Sequence, residues 1–169
     1  MGIKDIVLPL VDKSSIYNSK NINDFDKIFN SILEVFTNYE TNLCVETDLN
    51  PEKFYNFIKK YSHQNLTVNY DVGNSASLGF NVTEEFDAYG KHISLIHIKD
   101  RILNGPSVML GNGNVNFDLF FNLLKKIKYK NNFTIQAFRD ERDVEIFNEQ
   151  FIWLKNNTEI NYFTKKISE

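Results

Sequence analysis

ISLIHIKD, residues 93–100, is the stretch of the sequence that decides the fold. Its apolar and β-branched residues predict a strand that is covered on at least one face. The side chains of a strand alternate between its faces, which puts His97 and Lys99 on one face and Ile96 and Ile98 on the other. A histidine at the carboxyl end of a buried strand, followed by a charged loop, is typical of the catalytic face of a barrel of parallel strands.

Four further short apolar runs predict strands, and segments with helical spacing of apolar residues separate them. The predicted strands are 4–10, 42–47, 66–71 and 132–137, and the predicted helices begin at a cap at Asn21 or Asn23, at Pro51, at a cap at Thr83, at a cap at Asn116 and near residue 143. We expect a turn at 72–74 and a Gly- and Asn-rich loop at 104–114. The order βαβαβαβαβα implies parallel strands with right-handed crossovers, which fits a five-stranded doubly wound sheet or part of a (β/α)8 barrel.

Length, charge and cysteine content exclude several classes of protein. The 169 residues predict a single domain, residues 1–169. The formal charge of −3 offers no basic field, so we expect no nucleic acid as a partner. No apolar run approaches the roughly 20 residues of a membrane span, so we expect no membrane partner. Cys44 is the only cysteine, which excludes an internal disulfide and a thiolate zinc cluster and makes the cytoplasm the expected location.

Polar side chains follow the carboxyl ends of four predicted strands. They are Glu46, Asp71, His97 and Gln136. Parallel neighbouring strands bring such tips together, and carboxylate, imidazole and amide groups form a ligand set for Mn²⁺, Mg²⁺ or Co²⁺. Taken alone, an acid at a strand end more often caps a helix or pairs with a cation, and a lone histidine is more often a satisfied polar residue. The recurrence at four strand ends favours a metal site.

Five motifs resemble, in order and spacing, those of the xylose-isomerase-like TIM-barrel family of sugar phosphate isomerases and epimerases. They are LCVET (43–47), VNYDVGN (68–74), LIHIKD (95–100), MLGNGNVNF (109–117) and TIQAF (134–138). The resemblance implies an α/β fold, a partial (β/α)8 barrel whose five strands match family strands four to eight, the C-terminal part of the barrel. It also implies isomerase or epimerase activity on a sugar or sugar phosphate, with a divalent metal, Zn²⁺ included, stabilising an enediolate.

By this resemblance Glu46, Asp71 and His97 match metal ligands, and Glu46 also matches one of two catalytic acid/base carboxylates. Lys99 and Arg101 fall where the family handles substrate oxygens or phosphate, although solvation at the surface is the alternative for Arg101. Asn74 and the loop at 111–113 would shape the mouth of the site, and the loop's glycines equally fit plain turns. The remaining side chains that could carry chemistry are expected in packing or surface roles, namely His63, His92 and Cys44.

Gln136 stands where the family has its second catalytic glutamate, which is also a metal ligand. An amide ligates a cation weakly and does not transfer a proton at all, so two-base epimerisation is expected to be crippled. Two hypotheses stay open: an enzyme that works with Glu46 alone, and a catalytically degenerate homologue that acts as a binding or interaction domain. A base-excision endonuclease on the same barrel is disfavoured, because its zinc site needs more histidines and the charge is acidic.

The chain is also short for the fold, since a (β/α)8 barrel usually needs about 250 residues. An arc of five strands has two unpaired edge strands, those that include Ile6–Leu10 and Phe133–Ala137. Each is a site for pairing with another chain. We therefore expect either a homo-oligomer or a missing N-terminal half, besides a small-molecule sugar or sugar phosphate as ligand.

Overall fold

A computed structural model describes residues 2–16 and 22–158, with no side chains described for 22–24. The strands are β1 (Asp5–Leu10), β2 (Asn42–Thr47), β3 (Leu66–Asp71), β4 (Ile93–Ile98), β5 (Asp100–Arg101), β6 (Ser107–Val108) and β7 (Asn132–Ile135). The helices are α1 (Ile22–Phe36), α2 (Pro51–Tyr61), α3 (Val72–Leu78), α4 (Val82–Tyr89), α5 (Phe117–Lys126) and α6 (Val144–Asn157). None of the helices within these ranges has the length and apolar character needed to cross a membrane.

The main sheet has five parallel strands in the order β1-β2-β3-β4-β7. The order never reverses, whereas a doubly wound sheet needs a switch point at which it does. Successive right-handed crossovers in one direction place the connecting helices on the same face of the sheet. The sheet is therefore an arc of a barrel, as the sequence predicted, and it is not closed within the described residues.

Asparagine side chains begin three of the helices. Pro51 begins α2 and Asn116 caps α5, as the sequence predicted, and Asn50, which was not predicted, caps α2. The predicted cap at Thr83 is wrong. The cap is Asn81, whose side chain accepts hydrogen bonds from the Thr83 and Glu84 amides, and α4 begins at the next residue, Val82. The predicted cap at Asn21 or Asn23 lies outside the residues whose side chains the structure describes.

Two elements occupy stretches that the sequence analysis treats as a turn and a loop. Residues 72–78 form the helix α3 instead of a turn at 72–74, because Asp71 caps its first turn and Gly79 ends it in the left-handed conformation. Within the loop at 104–114, Ser107 and Val108 form β6, which pairs antiparallel with β5. The fifth sheet strand, β7, ends at Ile135, two residues earlier than predicted.

The register between β3 and β4 shifts at one point. Val68 pairs with Ile93, but the next residue, Asn69, pairs with Leu95, so β4 contains one extra residue, Ser94. The Ser94 hydroxyl lies 2.7 Å from the Thr67 hydroxyl of β3. Beyond Ser94 the regular alternation resumes, with Asp71 opposite His97.

The hydrophobic core lies between the sheet and the helices. The strand side chains buried in it include Val45, Val68, Tyr70, Ile96 and Ile98. Aromatic rings of the helices cover them, with the Tyr70 ring centroid 5.4 Å from that of Phe86 and 6.0 Å from that of Phe120. Because this face is apolar, alternation directs the polar residues of the same strands to the opposite face of the sheet.

One carboxylate, that of Glu85 in α4, is buried in this core. It accepts hydrogen bonds from three hydroxyls, those of Tyr70 (2.8 Å), Ser75 (2.5 Å) and Tyr89 (2.7 Å). Burial raises the pKa of Glu85, and the three hydrogen bonds offset that rise only in part. A folded-state pKa above the unfolded one adds stability at low pH that is lost as pH rises through the folded pKa.

We therefore expect Glu85→Gln to flatten the dependence of unfolding free energy on pH. The amide is isosteric, keeps an acceptor for the Tyr70 and Ser75 hydroxyls and carries no buried charge. In thermal melts between about pH 4.5 and about pH 8, the Tm of the variant should rise relative to the Tm of the wild-type protein as pH rises. Glu84→Gln, at the exposed neighbouring residue, is the matched control. If Tm depends on pH in the same way for Glu85→Gln and wild type, the raised pKa of Glu85 is contradicted.

The two outer strands of the arc each have one neighbouring strand among the described residues. β1 pairs only with β2, and β7 only with β4. Pro9 lies in β1, where its missing N–H is tolerated at the edge. Ile3 and Ile6 are 54% and 45% exposed at this side of the sheet. Both edges coincide with those predicted from the sequence.

Candidate active site

Three strands bring Glu46, Asp71 and His97 together on the face opposite the helices. Each residue lies at or near the carboxyl end of its strand, β2, β3 and β4 respectively. One ligand atom from each of the three side chains lies within 4.8 Å of the others, and all three residues are buried, at 7%, 5% and 8% exposure. Asp71 and His97 are paired directly in the sheet, which places their side chains side by side.

The two oxygens of Asp71 have different roles. Oδ1 accepts a hydrogen bond from the Asn74 amide at 2.8 Å and so caps α3. Oδ2 lies 2.7 Å from Lys99 Nζ and 3.8 Å from His97 Nδ1. The Lys99 ammonium is therefore the ion-pair partner of Oδ2, while Oδ1 serves the helix. The helix-cap and the metal-ligand interpretations of Asp71 thus concern different atoms.

Glu46 is held by two asparagines. Asn74 Nδ2 donates to Oε1 at 2.6 Å, and Asn69 Nδ2 donates to Oε2 at 2.8 Å. Oε2 also lies 3.6 Å from His97 Nδ1. Burial first, and the nearby negative charge of Asp71 second, raise the pKa of Glu46, against the opposing charges of His97 and Lys99. A carboxylate with a raised pKa is suited to accept and return a proton.

Gln136 lies just beyond β7 and is brought to the same end of the sheet. Its backbone N–H donates to the Ile98 carbonyl, which continues the ladder with β4 by one bond. Its side-chain Oε1 accepts a hydrogen bond from Lys99 Nζ at 3.2 Å. Lys99 therefore bridges the amide of Gln136 and the carboxylate of Asp71. A glutamate at position 136 would face this ammonium directly.

The donor set fits a divalent cation. Two carboxylates and an imidazole suit a hard or borderline ion, and the only charged group other than His97 that contacts the buried Asp71 Oδ2 among the described residues is the Lys99 ammonium. No thiolate competes for this role, because Cys44 is buried elsewhere and burial raises the pKa of its thiol to about 11. Glu46, Asp71 and His97 would hold the ion, with Gln136 Oε1 as a weaker neutral donor.

Asn69 is a site residue that the sequence analysis did not assign. Its Nδ2 lies 2.8 Å from Glu46 Oε2 and 3.1 Å from His97 Nδ1, and the residue is 2% exposed. Its Oδ1 is buried without a hydrogen-bond partner among the described residues. The signal was available, because Asn69 precedes Asp71 by two positions and so shares its face of β3.

Asp100 is a second missed residue, and it organises the loop beside the site. Its fully buried carboxylate accepts four backbone hydrogen bonds: Oδ1 from Arg101 and Val115, and Oδ2 from Gly111 and Gly113. A Cβ at Gly113 would collide with this carboxylate, and Gly111 has a φ of +87°. These two glycines are therefore required by a close approach and by a left-handed turn.

The remaining predicted substrate residues lie around Glu46 and Asp71. Asn74 is half-buried in the first turn of α3, and Lys99 is half-buried beside Asp71. Arg101 is also half-buried and donates from Nη1 to Asn74 Oδ1 at 2.8 Å. The geometry places all three at the site's rim, and their contact with a substrate stays a prediction. His63 forms hydrogen bonds with Thr37 and Asn65 at a distance in the fold from this cluster.

Comparison with known proteins places this geometry in a family. Residues 1–157 match the model of the xylose isomerase-like TIM barrel family. The chain belongs to this family. The family's fold accounts for the arc of parallel strands with helices on one face.

Individual members of the xylose isomerase-like family share the fold at low sequence identity. The inosose isomerase of Bacillus velezensis is 22% identical over 184 residues, which cover 98% of this chain and 66% of the relative. A xylose isomerase domain protein of Planctomyces limnophilus superimposes with a TM-score of 0.77 at 20% identity, covering 90% of this chain and 57% of that one. The structure of the IOLI protein with a bound zinc atom gives a TM-score of 0.76 at 20% identity, covering 96% and 65%. The chain thus spans about two thirds or less of these family members.

Proposed function

We propose that this protein is a metal-dependent sugar or sugar-phosphate isomerase or epimerase. The observation that carries the proposal is the convergence of Glu46, Asp71 and His97, three buried donors within 4.8 Å of one another at the carboxyl ends of neighbouring strands. That edge is where barrels of this type keep their chemistry. The inosose isomerase similarity supports a small polyol or sugar as the substrate class.

Two residues of the chain, Glu46 and Lys99, have separate roles in the proposed proton transfer next to a carbonyl. Glu46 is placed to take the proton, because its pKa is raised and Asn69 and Asn74 hold both of its oxygens. Lys99 is placed to bind a substrate oxygen or phosphate, since its ammonium lies at the site between Asp71 and Gln136. A bound divalent cation would supply Lewis-acid stabilisation of the negative charge that develops on the sugar oxygens.

The donor set supports Mn²⁺, Mg²⁺, Co²⁺ or Zn²⁺ as the ion. Carboxylate ligands favour the first three, and imidazole suits Co²⁺ and Zn²⁺ as well. The zinc atom in the IOLI structure supports the same class of ion for this chain.

Titration calorimetry with Mn²⁺ tests the proposal, and His97→Ala is the decisive variant. We expect the wild-type protein to bind Mn²⁺ and the variant to bind at least about 100-fold more weakly, because even the residues that support metal ligands are worth 10- to 100-fold. His92→Ala is the matched control, since His92 is half-buried and precedes the same strand. Absent binding by the wild-type protein, or equal binding by His97→Ala, would refute the metal site.

A second candidate function is a binding or interaction domain without turnover. Gln136 favours it, because the amide that accepts a hydrogen bond from Lys99 acts neither as an acid nor as a base toward a substrate. Under this proposal a sugar or sugar phosphate still binds beside Lys99, and no isomer is formed. The Gln136→Glu variant described in the Discussion separates the two candidates.

A further inference from the structure

The side chain of Asn74 joins two elements of the site. Its Oδ1 accepts a hydrogen bond from Arg101 Nη1 at 2.8 Å, and its Nδ2 donates to Glu46 Oε1 at 2.6 Å. A guanidinium has only donors and a carboxylate has only acceptors. Arg101 therefore binds the oxygen of the Asn74 amide and Glu46 binds its nitrogen, and together they determine the orientation of the amide.

Arg101 is itself held in place by the hairpin formed by β5 and β6. Its Nε and Nη2 both donate to the Gly105 carbonyl, at 3.1 and 2.8 Å. Its backbone N–H donates to the buried carboxylate of Asp100, and the residue pairs with Ser107 across the hairpin. The planar guanidinium is thus fixed on one side before it reaches Asn74 with its remaining terminal nitrogen.

The orientation of the Asn74 amide decides what Glu46 can do. With Nδ2 on Oε1, the other carboxylate oxygen is left facing Asn69 and His97, at 2.8 Å from Asn69 Nδ2 and 3.6 Å from His97 Nδ1. A reversed amide would place Asn74 Oδ1 against Glu46 Oε1, two acceptors in contact. Among the described residues, Arg101 is the only hydrogen-bond donor to Asn74 Oδ1, so without the guanidinium no described donor holds that end of the amide.

We propose that Arg101 is a positioning residue for Glu46 and that it acts through Asn74. The hairpin of β5 and β6 is thereby linked to the group that binds the cation and moves the proton, an inference that rests on the proposed function for the role of Glu46. Three of the five N–H groups of Arg101 are engaged within the protein, in contacts with Gly105 and Asn74. The principal role of Arg101 is therefore to orient a side chain of the site.

A double-mutant cycle with Arg101→Met and Asn74→Ala tests the route. We expect Arg101→Met to weaken Mn²⁺ binding by about tenfold, as changes behind a metal ligand do. In the Asn74→Ala background the same change should have an effect of less than about twofold, since the intermediary is absent. Arg142→Met is the control, because its guanidinium pairs with Asp140 and Glu149 instead. Equal losses in both backgrounds would overturn the proposed route.

The metal-free protein provides a second readout, which separates this proposal from the proposed function. In NMR spectra, the side-chain NH₂ of Asn74 should give two well-separated proton signals in the wild-type protein. In Arg101→Met both signals should move toward the positions of a free asparagine amide, and in Arg101→Lys, which retains one cation, they should move less. Unchanged signals in Arg101→Met overturn the proposal. Changed signals in a protein that binds no Mn²⁺ support the link and refute the metal site.

Discussion

Replacing Gln136 by glutamate is expected to raise turnover of a ketose or ketose phosphate by about 100-fold or more, the range of a positioned general acid or base. The new carboxylate would face the Lys99 ammonium, which lies 3.2 Å from the present Oε1, so it enters beside a positive charge. It would also add an anionic donor to the neighbourhood of Asp71, which is expected to tighten Mn²⁺ binding by about tenfold or more. Coupled assays of isomer formation and calorimetry measure the two effects.

Gln64→Glu makes the same change of charge at an exposed position and is the matched control. A large gain in turnover would mean that the rest of the site is intact and that the amide alone limits catalysis. A gain in Mn²⁺ affinity without turnover would favour the binding-domain candidate. If neither quantity changes, Gln136 does not belong to the site.

Replacing Asp100 by asparagine is expected to destabilise the protein by about 3 kcal/mol or more. Each carboxylate oxygen accepts two backbone N–H groups, so an amide at this position would turn its NH₂ toward two donors and leave them buried without acceptors. A buried donor without a partner costs about 1–3 kcal/mol. For a domain of this size the loss corresponds to a fall in Tm of about 10 °C.

Asp118→Asn is the control, since Asp118 is exposed in the first turn of α5 and its replacement should change stability by less than about 1 kcal/mol. Hydrogen exchange at the Gly111 and Gly113 amides provides a local measurement, and both amides should lose protection in Asp100→Asn. Wild-type Tm and wild-type protection in this variant would show that the carboxylate does not hold the loop.

The elements that could be predicted from the sequence are those whose apolar residues recur at a regular spacing, or whose ends carry a residue that starts or stops a helix. Buried parallel strands appear in the sequence as apolar runs, and Pro51 and Asn116 mark helix starts because their effect depends on residues only a few positions away. The face assignment of His97 and Lys99 follows from alternation alone. The barrel arc, which needs the strand order, follows from the family's motifs and is confirmed by the sheet topology.

What the sequence could not provide depends on contacts between residues far apart in the chain. α3 is only seven residues long, and its first turn depends on the Asp71 cap, which also reads as a site residue. Asp100 acquires its role from amides 11 to 15 positions further on, and Arg101 from Asn74, 27 positions earlier. No periodicity reports such pairings, so nothing in the sequence indicates the order in the loop or the hydrogen bond from Arg101 to Asn74, and a contact of Arg101 with substrate stays a prediction.

The extra residue in β4 has a consequence for how this strand can vary in length. Removing Ser94 would join Ile93 to Leu95 and restore an uninterrupted ladder against β3, leaving the imidazole of His97 on the side it occupies. Removing Leu95 instead would have the same result, because Ser94 would then lie opposite Asn69 and His97 would stay opposite Asp71. Descendants of this protein could therefore lose one amino acid from the irregular part of β4 and keep the imidazole in the site.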